Sequence, residues 1–306
     1  MTDKITYLSS LQVDRKKWDS WVQASVNRRI FATSWLLDTF SPGWEALVMN
    51  DGRAFMPVTR GRKYGINYVF QPLFVQQLGF FFLDDSCVSA LPFFLERLSS
   101  NFSFIDISMN EMNNIVSPQY DVTRMSNFLL GLDKPYSFIE KHYNINTRRN
   151  IVKAERLGVS LTPDYSPSEA VGLFTANNGR KFTHISRLNY SRLQGSIEAG
   201  LDKGVIHMRA ARAKNGEVLA AACFLKDFDR HVFYFSSNTE EGRLQGAMFM
   251  LIDNFIQEHS ETGMLLDFNG SMNPGIARFY RGFGARQTFY QRLKINTLAF
   301  PARYFK

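Results

Sequence analysis

The residues of this chain best suited to chemistry fall in four places. Asp267 lies in the apolar stretch Met264-Leu265-Leu266-Asp267-Phe268, where a charge is costly unless paired or hydrogen-bonded. Its carboxylate is either a base, taking a proton from an amine directly or through water, or an acceptor that orders the following Asn269-Gly270-Ser271 loop. Tyr280, next to Phe279, either donates a proton and shapes an acceptor pocket or is a core aromatic. Gly246 and Ala247 sit near a helix start, where free N–H groups and the helix dipole attract an anion and small residues let it approach. Arg149, Lys153 and Arg156 recur at i, i+4 and i+7, so they share one helix face that either grips phosphate or is simply solvated.

Other chemistries lack a signature. The five His, at 142, 184, 207, 231 and 259, show no His-x-x-x-His spacing, and no metal is expected. No Gly-x-Ser-x-Gly marks a serine nucleophile. Cys87 and Cys223 are the only cysteines; both lie in apolar surroundings, read as small core residues, and are too few for a disulfide framework. The formal charge of +8 favours anionic partners without choosing among phosphates, nucleic acid and acidic membranes. With 45% hydrophobic and 21% charged residues, the chain is globular rather than disordered. The start, Met1-Thr2-Asp3-Lys4-Ile5-Thr6, lacks the apolar core of a signal peptide. The longest apolar run, Val218 to Leu225, is far short of the roughly 20 residues that span a bilayer, so a cytoplasmic protein with no membrane span is expected.

The elements that must position these residues are clearest in the second half. Val205 to Ala213, Val218 to Leu225 and His231 to Ser236 read as strands joined by short polar turns, an antiparallel meander. Leu244, Ala247, Met248, Leu251, Ile252, Phe255 and Ile256 then follow one apolar helical face. A short strand ends at Phe268, Pro274 opens a helix that runs to about Gly282, and Arg286 to Leu293 is a last strand. The first half repeats this plan: a hairpin at Asn50-Asp51-Gly52, strands through Val69-Phe70 and Phe80-Phe81-Phe82, a helix over about Val88 to Leu98, and the strand Phe104-Ile105-Asp106-Ile107. Gly52 to Asp106 is 54 positions and Gly216 to Asp267 is 51, which points to a duplicated unit. Between the halves, Asn146 or Thr147 caps a basic helix that Gly158 ends.

Four stretches resemble a known family. Glu241-Gly242-Arg243-Leu244-Gln245-Gly246-Ala247, after a strand, is similar to the donor-binding segment of the GNAT superfamily, with Met248 where a second small residue is usual. Asn146-Thr147-Arg148-Arg149-Asn150-Ile151-Val152-Lys153-Ala154-Glu155-Arg156-Leu157-Gly158-Val159 resembles a segment of its Fem-like branch. So do Asp267-Phe268-Asn269-Gly270-Ser271 and Phe279-Tyr280-Arg281-Gly282-Phe283-Gly284-Ala285, with Tyr280 where many Fem-type enzymes have Lys. No heptad pattern marks the coiled-coil arm that many of them carry, and Arg278 stands where single-domain GNATs often keep a Tyr.

The resemblance implies an α/β (α+β) fold of two tandem GNAT-like domains, residues 1–134 and 135–306, each a mixed central sheet flanked by helices. The second would begin with the basic linker helix. It implies an N-acyltransferase that moves an acyl group from acyl-CoA to a small-molecule or peptide amine. Phe235, Ser236, Arg243, Gln245, Gly246 and Ala247 would hold the donor, Asp267 and Tyr280 would act in catalysis, and Arg149, Lys153 and Arg156 would bind substrate. Two other readings stay open: a Fem-type transferase using aminoacyl-tRNA on a peptide or cell-wall precursor, and a non-catalytic module that binds an anionic partner.

Overall fold

A computed structural model describes residues 4–178, 185–300 and 303. His184 and the polar start Met1-Thr2-Asp3 lie outside the described residues. The chain divides into two compact units, Met1–Met125 with Phe289–Lys306, and Ser126–Thr288.

The first unit runs β1 (Ile5–Leu8), α1 (Arg15–Ala24), α2 (Ser34–Phe40), β2 (Glu45–Met49), β3 (Ala54–Val58), β4 (Arg60–Lys63), β5 (Ile66–Phe70), β6 (Phe81–Phe82), α3 (Leu91–Asn101) and β7 (Phe104–Ser108). Asn50, Asp51 and Gly52 all take positive φ and turn β2 back onto β3, the hairpin expected from sequence. Asp14 caps α1 by accepting from the amides of Lys16 and Lys17. Trp18 of that helix packs tilted on Trp44 at 4.7 Å and edge to face on Phe55 at 4.8 Å.

The chain enters the second unit within β8 (Asp121–Gly131). It continues as α4 (Tyr136–Ile139), α5 (Ile145–Arg156), β9 (Ser160–Thr162), α6 (Pro167–Asn178), α7 (Arg187–Asp202), β10 (Ile206–Arg212), β11 (Val218–Lys226), β12 (Arg230–Asn238), α8 (Glu240–Gln245), α9 (Ala247–His259), β13 (Leu265–Asp267) and α10 (Pro274–Arg281). It returns to the first unit within β14 (Arg286–Asn296). In this second unit β10 to β12 form the antiparallel meander, β9 pairs antiparallel with β10, β12 pairs in parallel with β13, and β13 pairs antiparallel with β8. Both Cys are buried and free.

These compact units break the chain elsewhere than at 134/135. Phe128, Leu130 and Leu132 already pack in the second unit's core, and Leu293 and Ile295 pack in the first unit's. A strand pair common to both units underlies the duplicated spacing. In the first, β5 and β7 lie parallel with Phe70 opposite Asp106, and α3 falls between them in the chain. In the second, β12 and β13 lie parallel with Val232 opposite Asp267, and α8 and α9 fall between them. The surroundings differ: β1, β2, β3 and β6 form a sheet of their own, whereas the second unit's meander is continuous.

The apolar face expected as one helix is broken in two. Gly246 adopts φ +78, ends α8 and starts α9. Among the described residues no helix is long and apolar enough to cross a membrane.

Candidate active site

The register of β12 against β13 ends at Val232 and Asp267, yet β12 continues to Asn238. Beyond that point the chain after β13 departs into a loop and α10, so the two parallel strands separate. A pocket of ≈ 440 Å³ opens there, lined by Phe233, Ser236 and Asn238 of β12, Gly242 and Arg243 of α8, Met248 and Phe249 of α9, and Gly275, Ile276, Phe279 and Tyr280 of α10.

A bulge decides which β12 side chains reach it. Cys223 of β11 faces Phe235, but the next residue, Phe224, faces Phe233, so Tyr234 is the extra residue. The bulge shifts the alternation by one position, placing Phe233, Ser236 and Asn238 on the pocket side. Phe235 instead meets the ring of Phe174 at 5.2 Å, and the Tyr234 hydroxyl meets Ser196 at 3.0 Å. Of the donor residues expected on this strand, Ser236 lines the pocket and Phe235 does not.

Tyr280 forms the floor. Only 8% exposed, it stacks on Phe268 at 4.6 Å and lies near Phe128 and Phe233. Burial first, and then the charge of Asp267, push its hydroxyl above the ordinary tyrosine range, so it stays protonated at neutral pH. Asp267 is 2% exposed and does not line the pocket. Its Oδ2 accepts from Arg230 Nη1 at 3.0 Å and its Oδ1 from the Asn269 amide at 2.8 Å, so each oxygen has a partner. Of the two sequence readings of this carboxylate, the loop-ordering one describes these bonds.

The segment around Gly246 has a packing reason for its glycines. A Cβ on Gly246 would collide with the backbone oxygen of Asn150 in α5, and one on Gly242 with the backbone oxygen of Leu219. The nearest neighbour of Gly246 is therefore another helix. The amides of this segment are largely engaged: Gly242 donates to the Thr239 hydroxyl, Arg243 to the Thr239 carbonyl and Gly246 to the Gly242 carbonyl. Phe249 and Met250 bond back to the Gly246 carbonyl. Arg243, exposed, reaches the Asn238 carbonyl at 3.1 Å on the pocket margin. Gln245 bonds to Glu241 at 2.8 Å, and Ala247 is buried in the core.

Helix α5 carries the remaining residues. Asn144 caps it, two and three positions before the caps Asn146 and Thr147 expected from sequence, by accepting from the Thr147 amide. Arg149 and Arg156 are exposed and Lys153 half-buried, and none has an ion pair among the described residues. The resembling stretches meet on this helix. Asn144 donates its amide to the Gly282 carbonyl at 2.9 Å, a Cβ on Gly282 would lie 2.5 Å from Thr147 Oγ1, and Gly246 abuts Asn150.

Sequence reasoning took Phe233 only for its strand's backbone and Met248 only as a departure from the donor-binding pattern, and missed Asn238, Phe249, Ile276 and Phe279. The β12 members depend on a bulge, and the others are apolar residues that read as core. It also missed a histidine cluster. His207, His231 and His259 come from β10, β12 and α9, with rings 4.5 to 6.2 Å apart. Among the described residues, no group of three His, Cys, Asp or Glu is arranged to hold a metal ion.

No known sequence family matches the chain, and no curated protein matches it in sequence. Solved structures do. The chain is similar to FemX over 96% of its own length and 98% of FemX, at 12% identity and a TM-score of 0.65. It is similar to L-PGS from Bacillus licheniformis over 94% of both chains, at 12% identity and a TM-score of 0.57. A protein of unknown function from Bacteroides thetaiotaomicron matches over 92% of this chain and 97% of its own, at 10% identity and a TM-score of 0.61. The fold is Fem-like and GNAT-like. In this Fem-like frame the separation of β12 from β13 opens the pocket, and α5 anchors the helices around it.

Proposed function

We propose that the chain transfers an acyl or aminoacyl group from an activated ester or thioester to an amine, in the pocket between β12, α9 and α10. The observation that carries this reading is the pocket itself. Its walls are apolar, Tyr280 sits in it with a proton to give, and the edge of β12 that leaves β13 is beside it. The amine nitrogen attacks the carbonyl carbon, and backbone N–H groups of Phe233 to Ser236 stabilise the oxyanion. The C–S or C–O bond breaks, Tyr280 gives its proton to the leaving atom, and the amine's proton passes to water, from which Tyr280 is restored. No carboxylate lines the pocket, so the acceptor must reach it with a neutral amine. Asp267 is a positioning residue in this scheme, because it acts through the Asn269 loop and through its charge near Tyr280.

Two donors fit in different respects. Acyl-CoA suits the narrow apolar walls and the cation of Arg243 at the margin, although the bonded amides around Gly246 leave less of a phosphate cradle than expected. The full-length likeness to FemX and L-PGS favours an aminoacyl ester, with aminoacyl-tRNA as donor. In either case Arg149, Lys153 and Arg156 are proposed to meet the donor's phosphates, and Lys153→Glu should weaken its binding. The deciding experiment assays acyl-CoA and charged tRNA side by side with a panel of small amines and peptides. Tyr280→Phe should lower kcat by about 10²-fold, the scale of one general acid, with KM for the donor nearly unchanged. No turnover from either donor would refute the proposal, and full activity of Tyr280→Phe would remove that residue's role.

A further inference from the structure

A second pocket of the same unit, ≈ 370 Å³, lies between α4, α5 and α9, lined by residues that the transfer scheme does not use. Asp253 of α9 is 8% exposed within it and accepts a hydrogen bond from the Tyr136 hydroxyl at 2.8 Å. Burial chiefly raises the pKa of this carboxylate; the nearby Tyr136 and Tyr143 hydroxyls pull it down, and the charges of Glu140 and Glu155 push it further up. Among the described residues no Lys, Arg or His forms an ion pair with Asp253. Arg148 lines the same pocket, but its guanidinium donates to the Lys141 carbonyl at 2.7 Å. Tyr143, 4% exposed, also lines the pocket; its buried hydroxyl is near Asp253 without a closed hydrogen bond. Buried polar atoms left this way are rare unless something comes to meet them.

These observations ask for one kind of occupant. Three carboxylates line the pocket against the two cations Lys141 and Arg148, so a positive charge would pair with Asp253 and be favoured by Glu140 and Glu155, and its N–H groups would find the Tyr143 oxygen as acceptor. The rings of Tyr136 and Tyr143 add cation–π attraction, and Ile151 and Val152 offer an apolar wall for a short alkyl chain. The carboxylates are not arranged to hold a metal ion. We propose that the pocket around Asp253, Tyr136 and Tyr143 binds a small organic ammonium ion, apart from the transfer pocket of Tyr280.

The test is calorimetry on the full chain at low ionic strength, with n-butylammonium chloride as probe and n-butanol and magnesium chloride as controls. One n-butylammonium should bind per chain, with no heat from n-butanol. Asp253→Asn keeps the shape and the Tyr136 bond but removes the charge, and should weaken binding about tenfold or more. Tyr143→Phe removes a hydroxyl that has no closed bond, so it should leave stability intact and weaken binding about twofold to tenfold. This variant carries the test if Asp253→Asn fails to fold. Tyr280→Phe should bind the probe like the parent chain, which separates this site from the proposed reaction. Equal binding of n-butanol, tighter binding of magnesium, no binding of n-butylammonium, or affinity unchanged in Tyr143→Phe and in every folded Asp253 variant would overturn the proposal.

Discussion

Replacing Asp267 by alanine tests whether this carboxylate holds the structure or performs the reaction. Arg230 and Asp267 side chains are each 3% exposed and meet at 3.0 Å, so the loss would leave a guanidinium in a low-dielectric interior. Removing one partner of a buried pair costs about 3–5 kcal/mol. The lower end applies here, because Arg230 keeps Asp229, a half-exposed partner at 3.0 Å. Losing the Asn269 amide's acceptor adds about 1 kcal/mol. The expected total is about 3–4 kcal/mol, read as a lower urea midpoint at unchanged m. The pair replaced together, Arg230→Met with Asp267→Leu, should lie close to the parent, since well-packed apolar substitutes are often neutral or better. A double-mutant cycle isolates the coupling. An Asp267→Ala that costs less than about 1 kcal/mol yet abolishes turnover would refute this reasoning and make Asp267 a catalytic base.

Two further outcomes follow from the same unit. Gly246→Ala should destabilise by about 2–3 kcal/mol, because the left-handed φ and the collision with the Asn150 oxygen act together; a stable variant that only loses donor affinity would restore the phosphate-cradle role. His231 is 3% exposed, its Nδ1 has no partner, and burial followed by the charges of His259, His207 and Lys226 lowers its pKa to about 3. A group depressed in this way stays neutral when folded, so stability should fall as pH drops from about 6.5 towards 3, by at most about 1.4 kcal/mol per pH unit and less where water reaches the exposed His207 ring. His231→Phe should flatten that slope in urea titrations between pH 4 and 7; an unchanged slope would assign it to other groups.

Much of the framework was legible because it rests on local rules. Short apolar runs joined by polar turns mark the meander, the Asn50-Asp51-Gly52 turn needs positive φ, and Gly158 ends α5 with φ +74. The Asp106 and Asp267 strands were recognisable for the same reason, as short apolar runs at similar spacing from a preceding hairpin. The pocket was harder to read, since its composition is set by two non-local events. One is the bulge at Tyr234, which puts Phe233 on the same side as Ser236 and Asn238 and turns Phe235 away from the site. The other is the break at Gly246, where the Asn150 carbonyl, nearly a hundred positions earlier, leaves no room for a side chain. That collision also changes what the resembling stretches mean. Gly246 and Gly282 both abut α5, at Asn150 and Thr147, so both glycines are required by helix packing whether or not a ligand is bound. Their spacing is therefore evidence for the fold before it is evidence for a donor. Ser236 and the hydroxyl of Tyr280, whose ring packs in the core, line the pocket without such a packing demand and are the groups where substitution speaks to function.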